Sequence, residues 1–231
     1  LPEKMENGIQ LEIVDSDGAL VSRMVSDSSF TETKVEEVEN MDLSTTFRFV
    51  NTKLDASKGL HRFAWDLRSQ GPWHKNANRR YKGGPMVLPG TYQVRLTAGE
   101  TSLTQEFRIL MDPKVEAQGL SLQDLREQQR LQDQVVDLLS EARRFEAKLE
   151  KEIKNLKKKA TEGNTDMLAH KESILQRLQN AEGAYPQQML LAQIGYLQSA
   201  MGRADQLPGK DAQIRFRTLE KQLKELKAKT P

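Results

Sequence analysis

The chain of 231 residues contains no cysteine, and only 6% of its residues are aromatic. Without cysteine it has no disulfide scaffold, no thiolate zinc site and no thiol nucleophile. No apolar run approaches the roughly 18–20 residues of a membrane span, so we predict no membrane span. Residues 1–7 lack the apolar core of a signal peptide, and the start at Leu1 rather than methionine indicates a processed product or a piece of a longer chain.

Neither sign of charge is in large excess, since the formal net charge is only +2. Five lysines cluster between residues 151 and 159, but acids lie nearby and no aromatic residues are interleaved with them. Such a run is typical of a solvated helix face whose positive charge complements the helix dipole. The sequence therefore predicts that nucleic acid is not a partner.

Few residues suit catalysis or metal binding. The three histidines, at 61, 74 and 170, are not spaced to share a helix face, so we predict no metal site and no cofactor. The chain has no nucleophile elbow and no glycine-rich phosphate loop. Asp66 stands beside Trp65, which predicts a hydrogen-bonded turn or strand end rather than a catalytic carboxylate. We assign no catalytic residue.

Alternation of apolar and polar residues predicts a β module over residues 1–113. The pattern occurs at 9–13, 46–50, 63–67, 92–96 and 103–109. Roughly six or seven short strands separated by turn signals are typical of an immunoglobulin-like antiparallel β-sandwich. In this interpretation Trp65 is the core anchor of the sandwich.

A tight turn is predicted at Asp15-Ser16-Asp17-Gly18, because Asp bonds its own backbone and Gly accepts a positive φ. The same run resembles the start of a calcium-binding loop, but no Glu stands at the twelfth position. We therefore favour a hairpin over a bound cation.

A long segment, residues 69–88, separates two of the predicted strands and holds an unusual set of side chains. These are Trp73, His74, Arg79, Arg80 and Tyr81. A loop of this length is usually functional or disordered, and exposed Trp, Tyr and Arg are frequent binding residues. Two interpretations stay open: a binding loop for a sugar or a neighbouring domain, or a structural loop whose Trp73 folds onto its own sheet.

A second period, with apolar residues every three or four positions, predicts an α module over residues 114–231. We expect an antiparallel helical bundle with one long helix, since the connections are short. Alternatively, the second and third helices together line the length of the first. The predicted helices span about 121–159, 166–182, 187–206 and 210–228.

Four short motifs, taken in order, resemble a known family. The Trp65-Asp66 pair, followed by Gly84-Pro85, the run Pro89-Gly90-Thr91-Tyr92 and Asp112-Pro113, is similar to the C-terminal region of bacterial sortilin-like (BNR-repeat) propeller proteins. Members of that family are described as glycosyl hydrolases. In them a FlgD-like immunoglobulin fold and a helical tail follow a large propeller. The resemblance covers residues 8–113 well and the helices loosely, and this sequence has no propeller blades.

The resemblance implies a non-catalytic accessory or interaction module of a larger exported protein, located in the periplasm or at the cell surface. Its partner would be the neighbouring propeller of the parent chain, and the parent would be the hydrolase. Other hypotheses stay open. They are a carbohydrate-binding module that uses residues 69–88, part of a glycoside hydrolase, and self-association through the helices.

Overall fold

The computed structural model describes residues 1–26, 54–76, 79, 82–158, 165–183 and 185–230. Within these ranges the chain forms four antiparallel strands and five helices, so the α+β class predicted from the sequence is confirmed. Contacts divide the chain into two units. The first comprises Leu1–Gln70 and Val87–Met111, and the second comprises Gly71–Met86 and Asp112–Pro231.

The first unit is built on one sheet with the strand order β2-β1-β3-β4. Its strands are β1 (Ile9–Asp15), β2 (Leu20–Val25), β3 (Gly90–Ala98) and β4 (Thr101–Ile109). The hairpin predicted at Asp15 is present, because the Asp15 carboxylate accepts the N–H groups of Asp17 and Ala19 at 3.0 and 2.8 Å. Gly18 takes a φ of 80° there, which glycine adopts at no steric cost.

One apolar cluster packs in the sheet unit. Its buried members are Ile13, Met24, Leu54, Val87 and Tyr92, with Phe63, Trp65 and Phe107 partly buried against them. The Trp65 ring meets Tyr92 and Phe107 edge-on, with centroid distances of 6.5 and 6.2 Å. Such aromatic pairs add to the stabilisation that burial alone provides. Trp65 is therefore a half-buried aromatic contact of this cluster.

The strand predicted over residues 63–67 is wrong, because this segment forms no strand. The Trp65 indole N–H donates to the Arg68 carbonyl at 3.1 Å, and Leu67 has a φ of 57°, which interrupts the extended backbone. The alternation of apolar residues here reflects side chains that pack on an existing sheet. The predicted strand at 46–50 lies outside the described residues.

The second unit contains the helices. They are α1 (Pro113–Ala117), α2 (Leu122–Lys158), α3 (Thr165–Leu178), α4 (Leu190–Met201) and α5 (Lys210–Ala228). The long helix α2 begins at a reciprocal cap in which the Asp124 N–H donates to Ser121 Oγ at 3.2 Å and the Ser121 N–H donates to the Asp124 carboxylate at 2.8 Å. Among the helices of the described part, none combines the length and apolar character needed to cross a bilayer.

One apolar cluster joins α2, α3, α4 and α5. Fully buried leucines and isoleucines at its centre include Leu139, Leu149, Leu178, Ile194 and Leu219. Two buried glutamine side chains of α2 cap the C-terminal end of α4. Gln128 and Gln132 donate to the Met201 carbonyl at 3.0 and 2.8 Å, which satisfies a carbonyl that the helix itself leaves without a donor.

Candidate functional site

The segment 71–86 was predicted from the sequence to carry binding residues. Its contacts place it in the second unit, together with the helices. Gly71, Pro72, Gly84 and Pro85 are buried. A Cβ on Gly71 would overlap the Lys82 carbonyl oxygen and lie 2.8 Å from the Gly84 nitrogen. Glycine is therefore required where the two ends of the segment approach each other.

Trp73 attaches the segment to α2. Its backbone N–H donates to Ser140 Oγ at 2.9 Å, and its carbonyl accepts from the Arg143 guanidinium at 3.3 Å. The Arg144 guanidinium lies 5.7 Å from the Trp73 ring centroid, within the range of a cation–π contact. Trp73 thus folds onto a helix, whereas one of the two sequence interpretations expected it to fold onto its own sheet.

Two further contacts extend this attachment. Lys75 Nζ donates to both carboxylate oxygens of Glu150 on α2, at 2.7 and 2.9 Å. Gln198 on α4 donates to the Gly83 carbonyl at 3.0 Å. The first part of the segment is therefore held by α2, through Lys75, and its last part by α4, through Gly83.

Ser140→Ala should loosen this attachment. Ser140 is 8% exposed and its hydroxyl accepts the Trp73 N–H, so removing the hydroxyl deletes this buried hydrogen bond and should lower the free energy of unfolding by about 1–2 kcal/mol. Urea denaturation followed by circular dichroism measures this. Ser173→Ala is the matched control, since Ser173 is an exposed helix serine that bonds the His170 carbonyl in its own helix. Equal losses in the two variants would contradict the anchoring role of Ser140.

A cleft of about 350 Å³ opens beside the attached segment. His74 and Lys75 of the segment line one side, and Arg143 and Glu146 of α2 line another. The third side belongs to α4 and consists of Leu191, Ala192 and Gly195. Arg143 and Glu146 are three residues apart on one helix, a spacing that places both on the same face.

The cleft gathers positive charge around a half-buried acid. Burial lowers the pKa of His74 below its ordinary value, and the positive charges of Arg143, Arg79 and Lys75 lower it further. Burial raises the pKa of Glu146, and Glu150 adds to this, although Lys75 and Arg143 act in the opposite direction. These effects favour the neutral form of His74, whose Nδ1 accepts the Asn76 N–H at 2.9 Å.

The lowered pKa of His74 predicts a pH dependence of stability. Between the folded pKa and the ordinary 6.5, the unfolded chain binds more protons than the folded chain, so stability falls as the pH drops through 6.5. The free energy of unfolding at pH 5.5 should therefore fall less, relative to pH 7.5, in His74→Asn than in the wild type. Ser173→Ala on α3, which changes no titratable group, is the control and should retain the wild-type dependence. Identical pH profiles for wild type and His74→Asn would contradict the prediction.

The residues predicted as ligand-binding are only partly described by the structure. Trp73, His74 and Arg79 are described, and His74 lines the cleft while Trp73 anchors the segment beneath it. Arg79 is exposed and lies near enough to affect the pKa values of His74 and Arg143. Arg80 and Tyr81 lie outside the described residues.

The residues of the structural motif lie in the sheet unit. Gly90 begins β3, directly after Pro89, and Tyr92 is buried on that strand. The Asp66 carboxylate accepts the Arg68 N–H at 3.2 Å, so of the turn and the strand end predicted for Asp66 the structure has the hydrogen-bonded turn.

Sequence reasoning missed the helix residues of the cleft. Arg143 and Glu146 lie off the apolar seam of α2, and nothing in their local pattern distinguishes them from solvated charges. One usable signal was Gly195, because a glycine inside a regular helical pattern requires a reason.

No metal-binding group of three or more His, Cys, Asp or Glu side chains occurs in the part of the chain that the structure describes. No protein-family model matches the chain, and neither the curated proteins nor the solved structures contain a match to it.

Proposed function

We propose that this chain is a non-catalytic accessory and interaction module of a larger exported protein of the sortilin-like propeller type, active in the periplasm or at the cell surface. The parent chain would supply any glycosyl hydrolase activity. In this proposal the first unit is a FlgD-like immunoglobulin-like sandwich and the second an antiparallel helical bundle. The neighbouring propeller is the partner.

A hydrogen bond in the sheet unit supports the immunoglobulin-like assignment. Tyr92, near the start of β3, donates its hydroxyl to the Leu88 carbonyl at 2.8 Å, four residues upstream. A tyrosine near a strand start that bonds backward in this way resembles the tyrosine corner of immunoglobulin-like domains. The Pro89-Gly90 turn lies between the two bonded residues.

The observation that carries the proposal is how the 71–86 segment is attached to the helices. Trp73 bonds α2 through its backbone N–H and carbonyl and places its ring beside Arg144, and the Lys75 ammonium binds Glu150. A segment fixed in this way presents a pre-formed surface, which lowers the entropic cost of binding a partner.

A groove in the helical unit offers a surface for the partner. Its volume is about 790 Å³, and its lining includes Tyr196, Leu207, Pro208 and Ala212. Tyr196 is 67% exposed and Leu207 is 52% exposed. Exposed Tyr and apolar side chains that line a concavity are frequent at protein interfaces.

The test uses the parent chain and the separately expressed propeller. We expect the propeller to bind this module, and Tyr196→Ser to weaken that binding at least about tenfold. Tyr185→Ser is the matched control, because Tyr185 is 100% exposed and does not line the groove. Deleting the module should leave glycoside hydrolysis by the parent intact. Hydrolysis by the isolated module, abolished by Asp66→Asn, would overturn the proposal.

A second candidate function is carbohydrate binding through the 69–88 segment. The specific observation in its favour is the cleft at His74 and Lys75, which has room for a small ligand next to the predicted binding residues. Binding that depends on this cleft and not on the groove at Tyr196 would distinguish it from the first proposal.

A further inference from the structure

We propose that the cleft between His74, Arg143, Glu146 and Gly195 binds a small hydroxylated carboxylate, of the size of one hexuronic acid. The inference rests on the second candidate function and specifies its ligand class. It draws on three independent properties of the cleft: its size, the charge at its rim, and the unfilled space on its α4 side.

The size of the cleft limits the ligand. Small-molecule sites usually enclose about 300–1,000 Å³, and a cleft of about 350 Å³ is at the lower end of that range. It therefore accommodates a ligand of monosaccharide size rather than an extended chain. A longer glycan would place only one of its residues inside.

The space on the α4 side is left open by Gly195. This glycine lies in the middle of α4, where glycine is less stable than alanine. Among the described residues outside its own helix backbone, none would lie within 4 Å of a Cβ at Gly195, so close packing against them does not account for the glycine. The missing side chain leaves room beside Leu191 and Ala192, and these apolar groups suit the apolar face of a sugar ring.

The charges at the rim select an anion. Arg143 is oriented by its bond to the Trp73 carbonyl, and its planar guanidinium matches the geometry of a carboxylate. Lys75, which also binds Glu150, lines the cleft together with His74, whose neutral form is favoured, and Arg79 adds positive charge nearby. A compact carboxylate therefore gains charge-assisted hydrogen bonds that a neutral sugar lacks.

Glu146 favours a ligand that carries hydroxyl groups in addition to its negative charge. Its carboxyl group lines the same cleft, within the influence of Arg143 and Lys75. A carboxyl group accepts hydrogen bonds from hydroxyls, of which a sugar acid offers several and inorganic phosphate few. The combination favours a ligand with an anionic end and hydroxyl groups over inorganic phosphate.

Isothermal titration at pH 7 with four probes tests the proposal: free galacturonate, a galacturonate oligomer, galactose and inorganic phosphate. We expect galacturonate to bind at least about tenfold more tightly than galactose or phosphate. If the oligomer binds more tightly than the monomer, the ligand is a residue of a glycan. If the monomer binds more tightly, the ligand is a free sugar acid.

Two variants assign the binding to this cleft. Gly195→Leu fills it without altering any charge, and should reduce galacturonate affinity at least about tenfold while leaving the melting temperature unchanged or higher. Ser199→Leu, on the same helix but not lining the cleft, should bind as the wild type does. Arg143→Lys keeps the charge, loses the paired donors and should also weaken binding.

Several results would overturn the proposal. Equal affinity for galactose and galacturonate would overturn the anionic selection and leave carbohydrate binding intact. Full affinity in Gly195→Leu would exclude this cleft. No binding of any sugar would overturn both this inference and the carbohydrate candidate, whereas the accessory role is judged separately by the Tyr196 experiment.

Discussion

Leu149→Ala is expected to lower the free energy of unfolding of the helical unit by about 3–5 kcal/mol. Leu149 is 0% exposed and belongs to the cluster that joins α2 with the three following helices. Its truncation removes buried apolar surface and leaves a cavity that rigid helices on all sides fill poorly. Urea denaturation followed at 222 nm reports the helical unit, because that wavelength is dominated by helix.

Leu207→Ala is the matched control for that experiment. The same atoms are deleted, but Leu207 is 52% exposed, so we expect a loss within about 0.5 kcal/mol. A loss at Leu149 no larger than the loss at Leu207 would show that the helices do not share one core. It would also remove the rigid support on which the cleft depends.

The helices were the most predictable part of this chain, because a long amphipathic pattern has few alternatives. The predicted span of about 121–159 compares with an observed α2 of Leu122–Lys158. The predicted span of about 187–206 compares with the shorter α4 of Leu190–Met201. Buried Gln128 and Gln132 supply donors to the final carbonyl of α4, and such long-range caps leave no trace in the local sequence.

The sheet was predictable where the backbone itself forces a turn. Asp15 and Gly18 specify a hairpin from local chemistry alone. Residues 63–67 show the limit of this reasoning, since alternation is the same for a paired strand and for a segment whose side chains cover a sheet. Only the partners of the backbone N–H and C=O groups distinguish the two.

The candidate site also has a part that the sequence could predict and a part that it could not. The residue types in the 69–88 segment made Trp73 and His74 candidate binding residues, because aromatic and basic side chains in a long loop are unusual. Ser140, which accepts the Trp73 N–H, is 67 residues away in sequence, and Glu150, which accepts from the neighbouring Lys75, is 75 residues away. No local pattern specifies pairs at that separation, so the cleft follows from the tertiary fold.

Gly71→Ala is expected to detach part of the 71–86 segment from the helices. The new Cβ would overlap the Lys82 carbonyl oxygen and crowd the Gly84 nitrogen, and both are backbone atoms that cannot rotate away. We expect a loss of about 1–3 kcal/mol in the free energy of unfolding, as for other overpacked sites. In a Trp65→Phe background, Trp73 becomes the remaining tryptophan, and its emission should shift to longer wavelength as the ring becomes more exposed.

Gly195→Ala is the control, because it is the same substitution with the opposite expected sign. Its Cβ meets no atom within 4 Å among the described residues outside the backbone of α4, and the helix gains up to about 1 kcal/mol when alanine replaces glycine in its interior. Trp73 emission should then remain as in the parent background. If Gly71→Ala left both stability and Trp73 emission unchanged, the segment would not depend on this close approach. The cleft would then lack the fixed wall that the binding proposals require.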